Sequence, residues 1–210
     1  MNTHSSAALP STEVSLPPAE HPVVRNTVQW LERAVIGLNL CPFAKGVHAK
    51  GQIHYVVSAA VHPQQLLADL REELLALAGM DAAVRDTTLL LVPTPLLADF
   101  LDFNDFLGAA EDLVDELELD GTLQIASFHP QFQFAGTAAD DVTNCTNRSP
   151  YPTLHLLREE SIDHAVEVFP EAETIYERNI EVLEKLGMPG WEALQVGAGC
   201  AAAPAVGGAA

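Results

Sequence analysis

The sequence predicts an α/β fold: one three- to four-stranded, mainly parallel sheet covered by helices, in a single domain. Three observations lead there. Short apolar runs alternate with amphipathic stretches. The runs are nearly continuous, as in strands buried on both faces. The segments between them are long enough to hold the crossover helices that parallel neighbours need. The chain has 210 residues, 48% hydrophobic and 19% charged, which suits one sizeable core and is too short for two large domains.

Taken in order, Val24, Val28, Leu31, Val35 and Leu38 recur at the spacing of one helix face, and Pro42 limits that helix. Ile53 to Val57, after Gly51, reads as a buried strand, and Pro63 suits the first turn of the next helix, whose inner stripe is Leu66, Leu70, Leu74 and Leu77. A second strand fits Thr88 to Val92, stopped by Pro93 and Pro95. Asp99, Asp102 and Asp105 stand where acids favour a helix start. The helix they open turns Phe106, Ala110, Leu113 and Leu117 inward and leaves through Asp120-Gly121. The third strand is Leu123 to Phe128. Thr153 to Arg158 is a fourth strand of open direction, with a helix start as its rival. Ser161 with Asp163 would cap a helix reaching Phe169, Pro170 would break it, and Glu171 to Leu186 would form another, ended by Gly187. Residues 1 to 20 and Val196 to Ala210 lack periodicity and read as disordered tails around a domain from His21 to Gln195.

Ten basic residues face 29 acidic ones, a formal charge of -19, which opposes broad attraction to nucleic acid or anionic membrane. No apolar run approaches a membrane span, and the first twenty residues lack a basic start followed by an apolar stretch. Three cysteines make no disulfide framework, so a soluble, cytoplasmic protein is expected. Gly51 to Phe128 carries 2 basic and 14 acidic residues, while Met1 to Lys50 carries 4 and 3. Arg25, Arg33, Lys45, Lys50, Arg148 and Arg158 are concentrated outside that acidic stretch. They would bind a carboxylate or phosphate, or else pair with surplus carboxylates.

From His129 to Pro152 runs HPQFQFAGTAADDVTNCTNRSPYP, longer than a plain connection in a compact domain. It combines apolar anchors, Phe132, Phe134 and Tyr151, with the hydrogen-bonding Asn144, Asn147 and Arg148, so it reads as an ordered loop. His129 would stand at the carboxyl end of the third strand, the edge where open α/β sheets gather ligands.

LNLCPFAKG from Leu38, HPQFQFAG from His129 and NCTNRSPYPTLHLLRE from Asn144 resemble a bacterial and plant family, domain of unknown function 1415. The resemblance spans most of Thr27 to Trp191. It implies membership and carries no reaction, cofactor or residue role.

Cys145 is the first chemical candidate, with Asn144, Thr146, Asn147 and the positive Arg148 around it; the rival is a loop cysteine packed under Phe132 or Phe134. Cys41, before Pro42, sits at a turn whose backbone donors favour thiolate, against the negative end of the preceding helix; a small buried hydrophobe is the rival. His129 or His155 would be a base for Cys145, or else a strand residue bonded to backbone. Cys41, His129, Cys145 and His155 are zinc-ligand types, but no C-x-x-C or H-x-x-x-H pair fixes two of them locally, so no metal is assigned. A redox pair of Cys41 and Cys145 has no better support from spacing. Asp140-Asp141 reads as a turn or cap, and Cys200, His48, His54, His62 and His164 have weak contexts. Phosphate-loop, dinucleotide, nucleophile-elbow and H-E-x-x-H motifs are missing.

The sequence therefore supports two functions. One is a small-molecule enzyme in which Arg148, with Arg158, binds an anionic group, Asn144 and Asn147 orient it, and Cys145, His129, Cys41 or His155 carries the chemistry. The other is a non-catalytic binding or assembly protein whose loop braces the sheet and whose acidic helices meet a basic partner. Neither names a cofactor.

Overall fold

The structure is a computed structural model that describes residues 21–168 and 174–197. The tail expected over residues 1 to 20, Pro170 and all but the first two residues of the C-terminal tail lie outside the described residues.

Helix α1 (Pro22–Trp30) starts where His21 Nδ1 accepts the Val23 amide at 3.3 Å, with Pro22 preset for the first turn. It runs on as a wider π-helical stretch, Leu31–Ile36. The predicted stripe holds: Val24, Leu31 and Val35 are buried. Pro42 does not end this helix, since the left-handed Asn39 (φ 55°) and the Leu40 amide, 2.8 Å from the Val35 carbonyl, turn the chain earlier. A Cβ on Gly37 would run into the Arg33 carbonyl, so the wide turn requires glycine there. A short α2 (Ala44–Ala49) leads into β1 (Ile53–Val57).

Helix α3 (Pro63–Gly79) buries Leu66, Leu70, Leu74 and Leu77 completely. Each buried leucine stabilises the fold by roughly 1.5–3 kcal/mol. After β2 (Thr87–Leu91), α4 (Phe100–Glu116) is capped by Asp99, which accepts the amides of Leu101 and Asp102, and it buries Phe103, Phe106, Ala110 and Leu113. Next come β3 (Leu123–Phe128), the long loop with a 3-10 turn at Val142–Asn147, β4 (Thr153–Arg158), α5 (Glu159–Val168) and α6 (Ile175–Ala193). Ser161 does not cap α5, which begins two residues earlier; its hydroxyl donates to Asp86 at 2.6 Å. Gly187, at φ 66° and ψ 168°, breaks α6 where the sequence placed a helix end. Val196, at the expected start of the tail, is 5% exposed and belongs to the cluster around Trp30.

The sheet is mixed, not mainly parallel. Its order is β1-β2-β4-β3; β1 and β2 pair in parallel, while β4 lies between β2 and β3, antiparallel to both. The three strands read first do share one direction. The fourth returns beside β3 as an expanded hairpin, which needs no crossover helix. Its register sets Leu154 and Leu156 on one face with Leu90, under α3 and α4. The other face carries Leu89 and Leu91 under Val23 and Val24 of α1, and Phe128 meets Trp30 edge to face at 5.4 Å.

Candidate functional site

The long loop leaves β3 at the sheet's carboxyl edge, as the sequence indicated, and is ordered by its own polar side chains. Asp141 opens the 3-10 turn by accepting the Thr143 amide at 2.9 Å and hydroxyl at 2.7 Å, and those bonds hold its carboxyl below the usual carboxylate range. Asn144 is fully buried; its Oδ1 accepts the Phe134 amide at 2.9 Å, and its Nδ2 donates to the Ala138 carbonyl at 2.8 Å. The Thr137 hydroxyl adds a contact at 2.8 Å to the same oxygen. Arg148 donates to the Phe132 carbonyl at 3.2 Å and the Ala139 carbonyl at 2.6 Å, tying both limbs of the loop together. Asn144 and Arg148 are two of the side chains expected to orient or hold substrate; here they replace the strand ladder that the loop lacks.

Asn147 works on the sheet itself. Its Nδ2 donates to the Ser127 carbonyl at 3.2 Å, and its own carbonyl accepts the His129 amide at 3.1 Å. The Glu159 amide bonds to the Thr122 carbonyl across the β3–β4 pair, so alternation turns the backbone groups of Ser127 and His129 to the outer side of β3. Asn147 thus closes that border of the sheet at its carboxyl end.

His129 is fully buried. Its Nε2 lies 3.0 Å from the Leu97 carbonyl, and its Nδ1 accepts the Gln131 amide at 3.0 Å, which defines the Nε2–H tautomer and uses both nitrogens. Burial pushes its pKa down, opposed by the Leu97 bond. Phe103 and Phe100 flank the ring at centroid distances of 5.1 and 5.4 Å. From there the aromatic contacts run from Phe100 through Phe132 and Phe134 to Tyr176, joining α4 to α6.

Cys145 is 0% exposed and packs in an apolar cluster with Leu40 and Leu183, rather than lying open beside a base. Burial raises its thiol pKa, and the attraction of Arg148 offsets that only in part. Cys41 belongs to the neighbouring cluster around Trp30; burial raises its thiol too, against the Ala44 and Phe43 amides that favour thiolate. Trp191 packs against both clusters, and both thiols are free.

The remaining candidates stand elsewhere. His155 lies mid-strand on the α1 face, its Nε2 2.8 Å from Thr87 Oγ1, with burial lowering its pKa to about 4. Arg158 ends β4 at the opposite edge of the sheet. Its terminal nitrogen lies 2.6 Å from the carbonyls of Leu77 and Met80 and 3.2 Å from that of Arg85, at the C-terminus of α3. Asn144, Cys145, Asn147 and Arg148 therefore share one loop with His129 at its root, whereas Cys41, His155 and Arg158 are separate.

Two surface clefts have linings that include none of these residues. One, of about 540 Å³, runs between α3 and α4 past Leu67, Arg71 and Glu116. Another, of about 500 Å³, is lined by Val56, Val57, Gln65, Asp69, Glu72 and Glu73. Beside it Arg85, 8% exposed, pairs with Glu73 and donates to Thr88 at 2.9 Å. The sequence did not single out this region, although Arg71 and Arg85 being the two cations of an acidic stretch was a usable signal. Among the described residues, no group of three or more His, Cys, Asp or Glu is placed to hold a metal ion, and no helix is long and apolar enough to cross a membrane.

Residues 22–193 match the model of the family described as "Protein of unknown function (DUF1415)", and the chain belongs to that family. No curated protein and no solved structure matches it.

Proposed function

We propose that this chain is a non-catalytic binding or assembly protein whose long loop braces the sheet, rather than an enzyme acting on an anionic small molecule. One observation carries the reading: the polar atoms of Asn144 and His129 and the Arg148 guanidinium are engaged with the loop's own backbone or its immediate neighbours, and Cys145 is completely buried in an apolar cluster. A substrate would have to displace several satisfied hydrogen bonds, and each buried group left unpaired costs about 1–3 kcal/mol. The net charge of -19 fits a basic protein partner and opposes nucleic acid or anionic membrane. Two unbonded cysteines suit a reducing cytoplasm.

The test is a thermal-shift panel of carboxylates and phosphates on the full chain and on Arg148→Ala. The expected result is no ligand-dependent shift in either protein. A saturable shift in the wild type that disappears in Arg148→Ala would establish the anion site and overturn the binding-module reading.

A further inference from the structure

The two borders of the sheet differ. Asn147 closes the outer side of β3 at its carboxyl end, but no described strand pairs with the outer side of β1. The Ser58 amide donates to the Leu91 carbonyl at 2.8 Å, and the Gln52 carbonyl accepts from Asp86 at 3.0 Å. Residues 52 and 58 thus face β2. Alternation then turns the amides and carbonyls of Ile53, Tyr55 and Val57 away from β2, toward the open border.

The 500 Å³ cleft follows that border. Val56, packed toward α3 and α4, and Val57, packed toward α1, are sequence neighbours with opposite orientations, yet both line it. The cleft therefore opens on the strand's backbone edge and not on one face. Its far wall is α3. Ser58 donates to Asp69 at 2.5 Å and accepts the Ala60 amide at 3.1 Å, and Arg85 pairs with Glu73, so strand and helix are fixed relative to each other. Natural edge strands are usually blunted by lysine, proline or an inward charge, and Ile53-His54-Tyr55-Val56-Val57 has none of these.

The geometry points to the outer edge of β1 as a docking site for an extended segment of a basic partner protein, added as a fifth strand with Lys or Arg at every second position over Asp69, Glu72 and Glu73. This deepens the binding-module reading and rests on it. Main-chain bonds to Ile53, Tyr55 and Val57 would supply affinity, and the alternating side chains specificity. Arg85 offsets one of the three carboxylates, and Glu72 has no partner among the described residues, so the wall keeps a net negative charge. That charge selects the occupant: a second copy of this chain would set like walls together in a protein of net charge -19.

The probe is a fluorescein-labelled peptide alternating Lys and Val, compared by anisotropy with a block peptide of the same composition and with an alternating Glu and Val peptide. The full chain should bind the first saturably, at one per chain, and the others at least tenfold more weakly. Val57→Pro, which removes an outward amide from an edge position that tolerates proline, should weaken binding at least tenfold with little change in melting temperature. Glu72→Lys should weaken it as well. Should Val57→Pro fail to fold, N-methylation of alternate peptide amides serves instead: methylating one alternate set must abolish binding and methylating the other must not. Equal binding of alternating and block peptides, indifference to Val57→Pro or to both methylation patterns, or a self-associated chain dispersed by Val57→Pro would each overturn the proposal. A silent anion panel with no peptide binding removes the edge site alone, whereas an Arg148-dependent shift removes the reading beneath it.

Discussion

His155 and Thr87 meet across β4 and β2, with Nε2 2.8 Å from the Thr87 hydroxyl oxygen, which itself donates to the Leu156 carbonyl at 2.6 Å. Because the hydroxyl proton goes to Leu156, the imidazole must be the donor, which defines its Nε2–H tautomer. Protonation of this histidine is therefore expected to act on the stability of the sheet.

Burial holds its pKa at about 4, against an ordinary value of 6.5. Between those values the unfolded chain binds the proton and the folded chain does not, so stability rises with pH there and falls on acidification. His129, lowered by burial, acts in the same direction. Urea midpoints should drop between pH 7 and pH 4.5 by the equivalent of about 2–3 kcal/mol. His155→Phe should flatten that slope; an unchanged slope would refute the assignment.

Arg158 is a cap on α3. Replacing it with Met keeps the stem and removes the donor to the Leu77 and Met80 carbonyls, so a loss of about 2 kcal/mol in denaturant unfolding is expected. Small anions should not rescue the variant; rescue by phosphate or a carboxylate would point to an anion-binding role for Arg158 instead.

Asn144→Ala removes the acceptor of the Phe134 amide and the donor to Ala138. The expected cost is about 2–3 kcal/mol. Limited proteolysis should then cut between His129 and Pro152 while the α3 and α4 layer stays intact. Cutting confined to other regions would show that Asn144 does not hold the loop.

The thiols should rank by exposure and not by their charged neighbours. Cys145, fully buried, should alkylate more slowly in the native protein than the partly exposed Cys41, as read by peptide mapping after a timed iodoacetamide pulse. Both should react below the rate of a free thiol at neutral pH, since burial raises both pKa values. Fast, selective labelling of Cys145 would reverse this order and restore the nucleophile.

The strands and long helices were legible because local pattern decides them: the α3 leucines at four- and three-residue spacing are all buried, and Ile53–Val57, Leu123–Phe128 and Thr153–Arg158 are strands as read. The place of β4 was not legible, because pairing order is decided by contacts remote in sequence. The consecutive apolar residues that suggested parallel neighbours serve equally for strands buried between α1 and the α3–α4 layer. The loop's position and order were readable, but its polar residues suggest a site only if their hydrogen bonds are unfilled. Whether Asn144 faces a ligand or the Phe134 amide depends on the turn at Val142–Asn147, which composition does not specify.

The bond from Asn147 to Ser127 also bears on how copies of the molecule can combine. Head-to-tail growth into an open filament needs two complementary borders on every protomer. At that end of β3 the Ser127 carbonyl and the His129 amide are already filled from the strand's own connection, so the β1 border of another copy would find the register there interrupted by an asparagine.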